Sequence, residues 1–462
     1  MSAYALDFII KSCQGRKLGQ ASPIIKQIII DSRQEINTNT LFIALEGDRF
    51  DGHDFVAEVL SNGASVAIVS SLDKLETAEL KDKVLILVED TLQALQQIAK
   101  AYRQEFKIPL VAITGSVGKT TTKELLHHCL KTTYKTLSTK GNYNNDIGLP
   151  LTLLGIEEQH DLAVVEVAMR GLGEISRLVN IARPTCAIIT NAELVHLEHL
   201  GNIDNVIKAK CEVLETLSAQ DFALVNGDNL PLLKRANTYP CRIYTFGYND
   251  DCDFKLVEIS SDKTGLFITL QILQEKAKLK FPISAPKLAL NIVAAIGAAY
   301  ILGVPLQESI SQIGSYVPTE NRLQITYLPE GGILINDTYN ANPLSMQAAL
   351  ETASNLKGNN RLVAVLGDMF ELGSYEEKGH LEVGGYVVAN HVDKLITIGN
   401  RAEFIAKGAI AEGMDESNIY HFPNKSESLS YLRHNLKKTD VVLFKASRGL
   451  ELENLINDWL NV

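Results

Sequence analysis

The sequence predicts an α/β protein of three domains, with a mostly parallel sheet in the central domain and a doubly wound sheet in the C-terminal domain. The chain has 462 residues, which is too long for one ordinary domain and fits three. Hydrophobic residues make up 46% of it, enough for several buried cores. Short apolar runs alternate with helical patterns along the chain. This order is typical of parallel strands joined by helices.

The first predicted domain covers residues 1–107. Apolar runs predict strands at residues 24–30, 41–45, 66–69 and 84–88, and helical patterns cover residues 55–62 and 92–106. Residues 105–109 form the predicted linker to the next domain, because Pro109 resists continuation of the helix.

The second predicted domain covers residues 108–318. Its strands are predicted at residues 110–113, 162–167, 187–190 and 222–226, followed by hairpins in 241–283 and a helix at 288–302. The apolar stretch 288–305 contains Asn291 and two glycines, which favours a buried helix over a membrane span.

The third predicted domain covers residues 319–462 and is a doubly wound α/β sheet. Its strands are predicted at residues 332–336, 362–366, 394–398 and 441–444, with helices between them. In sheets of this kind, ligands gather at the carboxyl ends of the strands.

Charge and cysteine usage narrow the functional class. The net charge is −11, from 44 basic and 55 acidic residues, which argues against a nucleic-acid-binding protein. The six cysteines are irregularly spaced and include no Cys-x-x-Cys, a pattern typical of reduced thiols in a cytosolic protein. The N-terminal apolar run is too short for a signal peptide. We therefore expect a cytoplasmic monomer without a membrane span.

A predicted phosphate-binding loop is the most informative motif of the chain. It lies between a buried strand and a helix predicted at residues 119–134, and its glycines allow the backbone N–H groups to approach an anion closely. Lys119 would reach the outer phosphates of a nucleotide, and the Thr120 hydroxyl would bind Mg²⁺. The alternative is an ordinary strand-to-helix turn, since the general pattern has glycine where this chain has Ile113. The predicted nucleotide-binding residues are Gly115, Ser116, Val117, Gly118, Lys119, Thr120 and Thr121.

Further candidate residues follow other strands of the second domain. Glu166 ends a predicted strand and would be a second Mg²⁺ contact, or else an exposed glutamate. His196 would ligate a metal or contact a phosphate, although a lone histidine is more often structural. Lys208 and Lys210 are two residues apart on a predicted helix, so at most one faces the site, and the alternative is a solvated helix.

Polar clusters mark a loop of the second domain and three strand ends of the third. Residues 140–150 are rich in asparagine, and Asn142 and Asn145 would offer amide donors to a substrate or simply form turns. In the third domain, clusters at 337–343, 367–369 and 445–449 each follow a predicted strand. Their coincidence predicts one shared crevice, although strand ends are also polar where they meet water.

Together these motifs resemble the Mur ligase family, the ATP-dependent amide-forming enzymes of peptidoglycan precursor synthesis. The resemblance covers essentially the whole chain, and residues 114–121 fit the family's own short loop. Segments 31–33 with 51–53, 142–150 and 337–343 are most similar to the member that adds D-alanyl-D-alanine to UDP-N-acetylmuramoyl-tripeptide. The Asp-Asn-Pro-Arg motif of the diamino-acid-adding member is absent.

The resemblance implies a P-loop central domain, a Rossmann-like C-terminal domain, and ATP and Mg²⁺ as cofactors. Lys119 and Thr120 would hold ATP and Mg²⁺, Glu166 and His196 would bind a second Mg²⁺, and Lys210 matches a lysine that relatives carry as a carbamate. The remaining implied contacts are Ser32 and Arg33 to the uridine nucleotide, Asn291, Arg322 and Asp337 to ATP, and Asn340, Asn342, Lys445 and Ser447 to the dipeptide or the phosphate.

Departures from the family and two rival functions are also visible. In members of the family, the nucleotide-binding helix often carries the pattern His-Asn-x-x-Asn. In this chain Leu290 stands in place of the histidine and Ala294 in place of the second asparagine. A folylpolyglutamate synthase, the rival enzyme, usually ends its loop Gly-Lys-Gly-Ser, unlike this chain. A GTP-dependent switch protein needs Asn-Lys-x-Asp after a buried strand. The closest string, residues 424–427, follows a segment (421–423) that predicts no good strand.

Overall fold

The computed structural model describes residues 4–47, 50–73, 83–193, 200–262, 264–318, 321–370 and 372–460. These residues form three sheets of five, nine and six strands, with helices packed on them. The α/β prediction with mostly parallel sheets is confirmed. No helix in the described part of the chain combines the length and apolar character that a membrane span requires.

The N-terminal sheet is small and mixed. Its strands are β1 (Arg16–Leu18), β2 (Gln27–Ile29), β3 (Thr40–Ile43), β4 (Val66–Val69) and β5 (Val84–Leu87), and its helices are α1 (Leu6–Cys13), α2 (Val56–Ser61) and α3 (Thr91–Gln104). The strand order is β1-β5-β4-β3-β2, with β1 antiparallel and the other pairs parallel. The sequence did not predict α1 and β1, because elements of 8 and 3 residues are too short to show a period.

The central sheet joins a parallel part to an antiparallel part. The strands are β6 (Leu110–Thr114), β7 (Thr136–Ser138), β8 (Leu162–Glu166), β9 (Cys186–Ile189), β10 (Phe222–Asn226), β11 (Arg242–Gly247), β12 (Phe254–Asp262), β13 (Gly265–Ile272) and β14 (Glu275–Phe281). The helices are α4 (Lys119–Leu130), α5 (Gly148–Leu153), α6 (Glu174–Ala182), α7 (Ile203–Cys211), α8 (Leu230–Ala236), α9 (Ala289–Ile301) and α10 (Leu306–Gly314). The strand order is β14-β13-β12-β11-β10-β9-β6-β8-β7.

The hairpin prediction for residues 241–283 is right for part of that segment and wrong for the rest. β12, β13 and β14 pair antiparallel, and β14 buries every second side chain, as a half-exposed strand does. β11 instead pairs in parallel with β10 and extends the parallel part. Helix α9 is apolar all round and buried, as predicted, since it lies between α4 and the antiparallel strands.

The C-terminal sheet is parallel except at one edge. Its strands are β15 (Gln324–Tyr327), β16 (Ile333–Asp337), β17 (Leu362–Gly367), β18 (Lys394–Ile398), β19 (Ile419–Phe422) and β20 (Val441–Lys445). Its helices are α11 (Pro343–Lys357), α12 (Glu376–Ala389), α13 (Glu403–Ala411), α14 (Lys425–Asn435) and α15 (Leu452–Leu460). The strand order is β15-β16-β20-β17-β18-β19, with only β15 antiparallel.

The judgement that residues 421–423 make no good strand was wrong, because β19 forms there. It was missed because β19 is the sheet's edge strand and stays partly exposed, so it carries no buried apolar run. The Asn424 side chain that follows accepts a hydrogen bond from the Glu427 N–H and caps α14. An asparagine used as a helix cap fits a structural role for this string.

The N-terminal and central sheets share one apolar core around α3. Two tyrosine hydroxyls cross between them: Tyr4 donates to Leu154 O at 2.9 Å and Tyr102 donates to Ile156 O at 2.6 Å. The Arg103 guanidinium, on α3, is buried and donates to three main-chain carbonyls, those of Phe106, Ile108 and Ala182. These contacts attach the N-terminal sheet to the central one.

We expect Arg103→Met to destabilise the protein strongly. The substitution keeps the apolar stem but leaves one buried and two partly buried carbonyl oxygens without their donor, a loss of about 2 kcal/mol or more in the free energy of unfolding. Urea unfolding followed by circular dichroism measures it, with the exposed Arg242→Met as control. Equal midpoints for the two variants would show that Arg103 makes no net contribution.

Candidate active site

The predicted phosphate-binding loop is built between β6 and α4. Gly115 has φ 149° and Gly118 has φ 83°, conformations that favour glycine. A Cβ at Gly115 would lie 1.9 Å from Thr190 Oγ1, and one at Gly118 would lie 2.2 Å from Asn291 Nδ2. Ile113, where the general pattern has glycine, is instead a fully buried residue of β6. Both loop glycines are therefore required by close contacts, and the departure at Ile113 follows from its place in the strand.

The N-terminus of α4 points its amide dipoles at the end of this loop. Gly118 is the N-cap and provides no side-chain cap, so the first amides of the helix keep the capacity to bind an anion. The Lys119 ammonium donates to Gly115 O at 2.8 Å and to Ser116 O at 3.2 Å. A cation and a helix N-terminus thus converge on one loop, an arrangement suited to phosphate.

Glu166 is 2% exposed at the end of β8, so the alternative of an exposed strand-end glutamate is wrong. Its Oε2 accepts from the Thr120 hydroxyl at 2.7 Å, and its Oε1 accepts from Asn144 Nδ2 at 2.8 Å. The Glu166 amide donates to Thr139 Oγ1, and the Lys123 ammonium donates to Thr139 O. These contacts fix the carboxylate directly beside the phosphate-binding loop.

Lys210 is fully buried on α7, whereas Lys208 is exposed, so only one of the two faces the interior, as their spacing predicts. Burial lowers the pKa of Lys210 well below its usual value. The nearby Lys119 ammonium lowers it further, while nearby carboxylates, including Glu166 and Glu212, oppose the shift. The lowered pKa favours the neutral amine, which is the nucleophilic form of this side chain. The solvated-helix alternative is wrong for Lys210.

Two other predicted site residues, Asn291 and His196, belong to the central part of the chain. Asn291, in the first turn of α9, donates to Thr122 Oγ1 at 3.0 Å and to Gly118 O at 3.4 Å, so it contacts the loop and α4. Ala294, one turn further along α9, is buried in the apolar core. His196 falls in residues 194–199, which lie outside the described residues. Among the described residues, no group of three or more His, Cys, Asp or Glu side chains is arranged to hold a metal.

The asparagine-rich loop contributes a residue that the sequence did not single out. Asn145 Oδ1 accepts from the Ile147 and Gly148 amides and so holds the turn that leads into α5, and Asn142 is exposed. Asn144, between them, is the one that reaches Glu166. The composition of the segment predicted a loop, but only the fold shows that the Asn144 side chain reaches the end of β8.

The strand ends of the C-terminal sheet converge as predicted. The Lys445 ammonium, 2% exposed, donates to Asp337 Oδ2 at 2.6 Å and to Asn340 O at 2.8 Å. Asp337 Oδ1 accepts from the Leu323 amide at 3.0 Å. Lys445 and Asp337 therefore tie the ends of β16 and β20 to the segment that leads into this sheet.

The remaining C-terminal candidates differ in what they contact. The Arg322 guanidinium lies 3.7 Å from the centre of the Tyr339 ring. Ser447 Oγ accepts from the Phe370 amide at 2.9 Å. Asn342 is the N-cap of α11 and forms a capping box with Ser345, a structural task that sequence alone did not reveal.

In the N-terminal sheet, Arg33 is exposed and pairs with Asp31. Hydrogen bonds from the Arg33 side chain and backbone lower the pKa of Asp31 to about 2. His53 is buried, with Nδ1 2.6 Å from Asp51 Oδ1 and Nε2 accepting from the Ser70 amide. Ser32, between Asp31 and Arg33 in the sequence, is half-buried.

Comparison with known families assigns all three parts of the chain. The model of the Mur ligase family, catalytic domain, matches residues 24–103, the Mur ligase middle domain matches 113–299, and the Mur ligase glutamate ligase domain matches 321–448. The chain belongs to the Mur ligase family.

Individual relatives match nearly the full length. UDP-N-acetylmuramoyl-tripeptide–D-alanyl-D-alanine ligase of Bacillus subtilis is 36% identical over 94% of this chain and 93% of its own length. The crystal structure of MurF from Acinetobacter baumannii has a TM-score of 0.88 at 29% identity and covers 100% of both chains. MurF from Thermotoga maritima, in complex with ADP, has a TM-score of 0.81 at 28% identity and covers 94% of this chain and 97% of its own.

Proposed function

We propose that this chain is an ATP-dependent ligase that joins D-alanyl-D-alanine to UDP-N-acetylmuramoyl-tripeptide in peptidoglycan precursor synthesis. The observation that carries the proposal is the near-complete coverage by relatives of that name, including the N-terminal and C-terminal parts that lie outside the phosphate-binding loop. The same proposal divides the chain into domains at residues 1–107, 108–318 and 319–462, and places the reaction in the cytoplasm, where ATP is available.

ATP would lie with its phosphates on residues 115–121. The support is the Lys119 ammonium, the uncapped N-terminus of α4 and the glycine backbone of the loop. Asn291, Arg322 and Asp337 are the proposed contacts to the rest of the nucleotide.

Mg²⁺ fits the oxygen atoms beside the loop. It is a hard cation that keeps several waters and uses one or two protein oxygens together with phosphate, and the Thr120 hydroxyl and Glu166 carboxylate lie 2.7 Å apart. When bound, Mg²⁺ would neutralise charge on the phosphate oxygens. His196 and a carbamate of Lys210 are the proposed ligands of a second ion together with Glu166. The lowered pKa of Lys210 supports the carbamate, since it favours the neutral amine and only that form reacts with carbon dioxide.

The proposed reaction has two steps. A carboxylate oxygen of the tripeptide's terminal residue attacks the γ-phosphorus of ATP, and ADP leaves. The amine of D-alanyl-D-alanine then attacks the acyl carbon, loses a proton, and phosphate leaves with that oxygen. Negative groups meet in the first step, so fixed positive charge at Lys119 and at the α4 N-terminus lowers its barrier.

The other substrate contacts are proposed from the places that these residues occupy in the sequence. Ser32 and Arg33 would bind the uridine nucleotide, and Asn142 and Asn145 the peptide. Asn340, Asn342, Lys445 and Ser447 would face the dipeptide or the phosphate. The Lys445 ammonium already binds Asp337 and Asn340 O, so its contribution is to hold these strand ends in place.

The identity of the amine that accepts the acyl group distinguishes the Mur-type functions from one another. With UDP-N-acetylmuramoyl-tripeptide and ATP present, we expect D-alanyl-D-alanine to stimulate phosphate release at least ~10²-fold over D-alanine, D-glutamate or diaminopimelate, because a site that binds a dipeptide loses contacts with a single amino acid. A coupled phosphate assay measures it, with tripeptide omitted as control. Stimulation by a free amino acid alone would contradict the proposed substrate, and stimulation by glutamate with a folate would favour the folylpolyglutamate-type rival.

A further inference from the structure

The segment after β9 holds the phosphate-binding loop through two side chains, Thr190 and Asn191, which we call the loop clamp. Asn191 Oδ1 accepts from the Ser116 amide at 3.0 Å and from the Val117 amide at 2.9 Å. Asn191 Nδ2 and Thr190 Oγ1 both donate to Val117 O, at 3.1 and 2.6 Å. Two side chains thus satisfy the amides and a carbonyl in the middle of the loop.

The clamp divides the loop's amides into two groups. Those of Ser116 and Val117 are bound to Asn191, whereas the amides at the start of α4 have no side-chain cap. Phosphate binds best where amides are both unsatisfied and already oriented. Without the Asn191 side chain, the Val117 amide would lose its acceptor, and the Ser116 amide would keep only the main-chain oxygen of Asn191, at 3.2 Å. The loop would then have alternative conformations.

The segment that carries the clamp accepts hydrogen bonds from two further asparagines. Thr190 is 3% exposed, and its carbonyl accepts from Asn226 Nδ2 at 3.1 Å. The Ala192 carbonyl accepts from Asn229 Nδ2 at 3.1 Å. Both asparagines lie at or just after the end of β10, so the end of the strand next to β9 supports the clamp. The close approach of Gly115 to Thr190 shows that the loop is fitted against it.

We propose that Thr190 and Asn191 are positioning residues that hold the loop in its phosphate-binding shape before the nucleotide arrives. They do so without contacting the nucleotide, by fixing the peptide planes between Gly115 and Gly118 so that the amides of α4 converge on one point. Preorganisation of this kind raises affinity because less ordering remains to be done on binding. The inference rests on the proposed nucleotide site.

Calorimetric titration with ADP tests the clamp. For Asn191→Ala we expect Kd to rise about tenfold or more, since the Val117 amide loses its acceptor, and for Thr190→Val about fivefold, since Val117 O keeps one of its two donors. Thr190→Ser keeps the hydroxyl and should stay within about twofold of the parent protein. Asn237→Ala is the control, because it removes an exposed asparagine side chain that follows α8 and that has no part in the clamp or its support. It should stay within about twofold of the parent protein.

Steady-state kinetics and thermal unfolding distinguish a positioning role of Thr190 and Asn191 from a general effect on the stability of the protein. The KM for ATP should rise with Kd while kcat changes by less than about threefold, and the thermal midpoint of Thr190→Val should match that of Thr190→Ser within about 2 °C. Unchanged ADP affinity in both Asn191→Ala and Thr190→Val would overturn the inference. Tighter binding by Asn191→Ala would also overturn it, because Asn191 would then compete with phosphate. If Asn191→Ala fails to fold, the Thr190 pair decides.

These outcomes are distinct from those of the acceptor assay, since ADP binding needs neither tripeptide nor dipeptide. Failure of D-alanyl-D-alanine to stimulate phosphate release would leave the clamp result standing. A parent protein that binds no ADP would contradict the clamp and the proposed function together.

Discussion

Lys119→Ala is expected to lower kcat at least ~10²-fold, the cost of removing a preorganised charge from a transition state that gathers negative oxygens. The ammonium lies against Gly115 O and Ser116 O, within the phosphate-binding loop, so it is already placed where the outer phosphates are proposed to lie. The measurement is steady-state phosphate release with both substrates saturating. The fold should survive, because Lys119 is only partly buried.

Lys131→Ala is the matched control for this variant. Lys131 follows the opposite end of α4 and is exposed, so its removal changes the net charge equally without touching the loop. We expect its turnover to stay within about twofold of the parent. Near-normal turnover for Lys119→Ala would remove this lysine from the catalytic residues.

Glu166→Gln has the second largest expected effect, a fall in kcat of about 10²-fold together with a higher Mg²⁺ requirement. Glutamine has the same shape, and the Thr120 hydroxyl both donates and accepts, so the hydrogen bonds at the end of β8 can be rebuilt. What disappears is the negative charge, which strengthens the binding of a hard cation. Turnover as a function of Mg²⁺ concentration measures both effects.

The control is Glu158→Gln, an exposed carboxylate in the turn before β8. It should leave both kcat and the Mg²⁺ requirement unchanged within about twofold. If Glu166→Gln lost turnover but kept the parent's Mg²⁺ dependence, its carboxylate would act through the Thr120 and Asn144 contacts and not through a metal.

Much of the fold and of the nucleotide site was predictable because the signals are local in sequence. Val66–Val69, Phe222–Asn226 and Lys394–Ile398 are buried strands whose apolar runs coincide with the observed bounds. The loop around Gly118 and Lys119 has its chemistry within a few consecutive residues. The strand-end position of Glu166 likewise follows from the run before it.

What sequence could not provide is the direction of side chains in irregular segments and the identity of partners far apart in the chain. Asn142, Asn144 and Asn145 are equivalent by composition, and only the fold brings Asn144 to Glu166. Asn191 contacts Ser116 across 75 positions. β19 was missed for a related reason, because an edge strand needs little apolar sequence.

The central claim is that the terminal carboxylate of the tripeptide is activated by ATP at the loop held by Lys119. The most direct measurement follows the oxygen atoms of that carboxylate into the products. UDP-N-acetylmuramoyl-tripeptide is labelled with ¹⁸O in that carboxylate and turned over with ATP and D-alanyl-D-alanine, and the released phosphate is analysed by mass spectrometry. An acyl phosphate intermediate predicts that each phosphate carries a single labelled oxygen when both carboxylate oxygens are labelled. Formation of the amide with unlabelled phosphate would contradict the account.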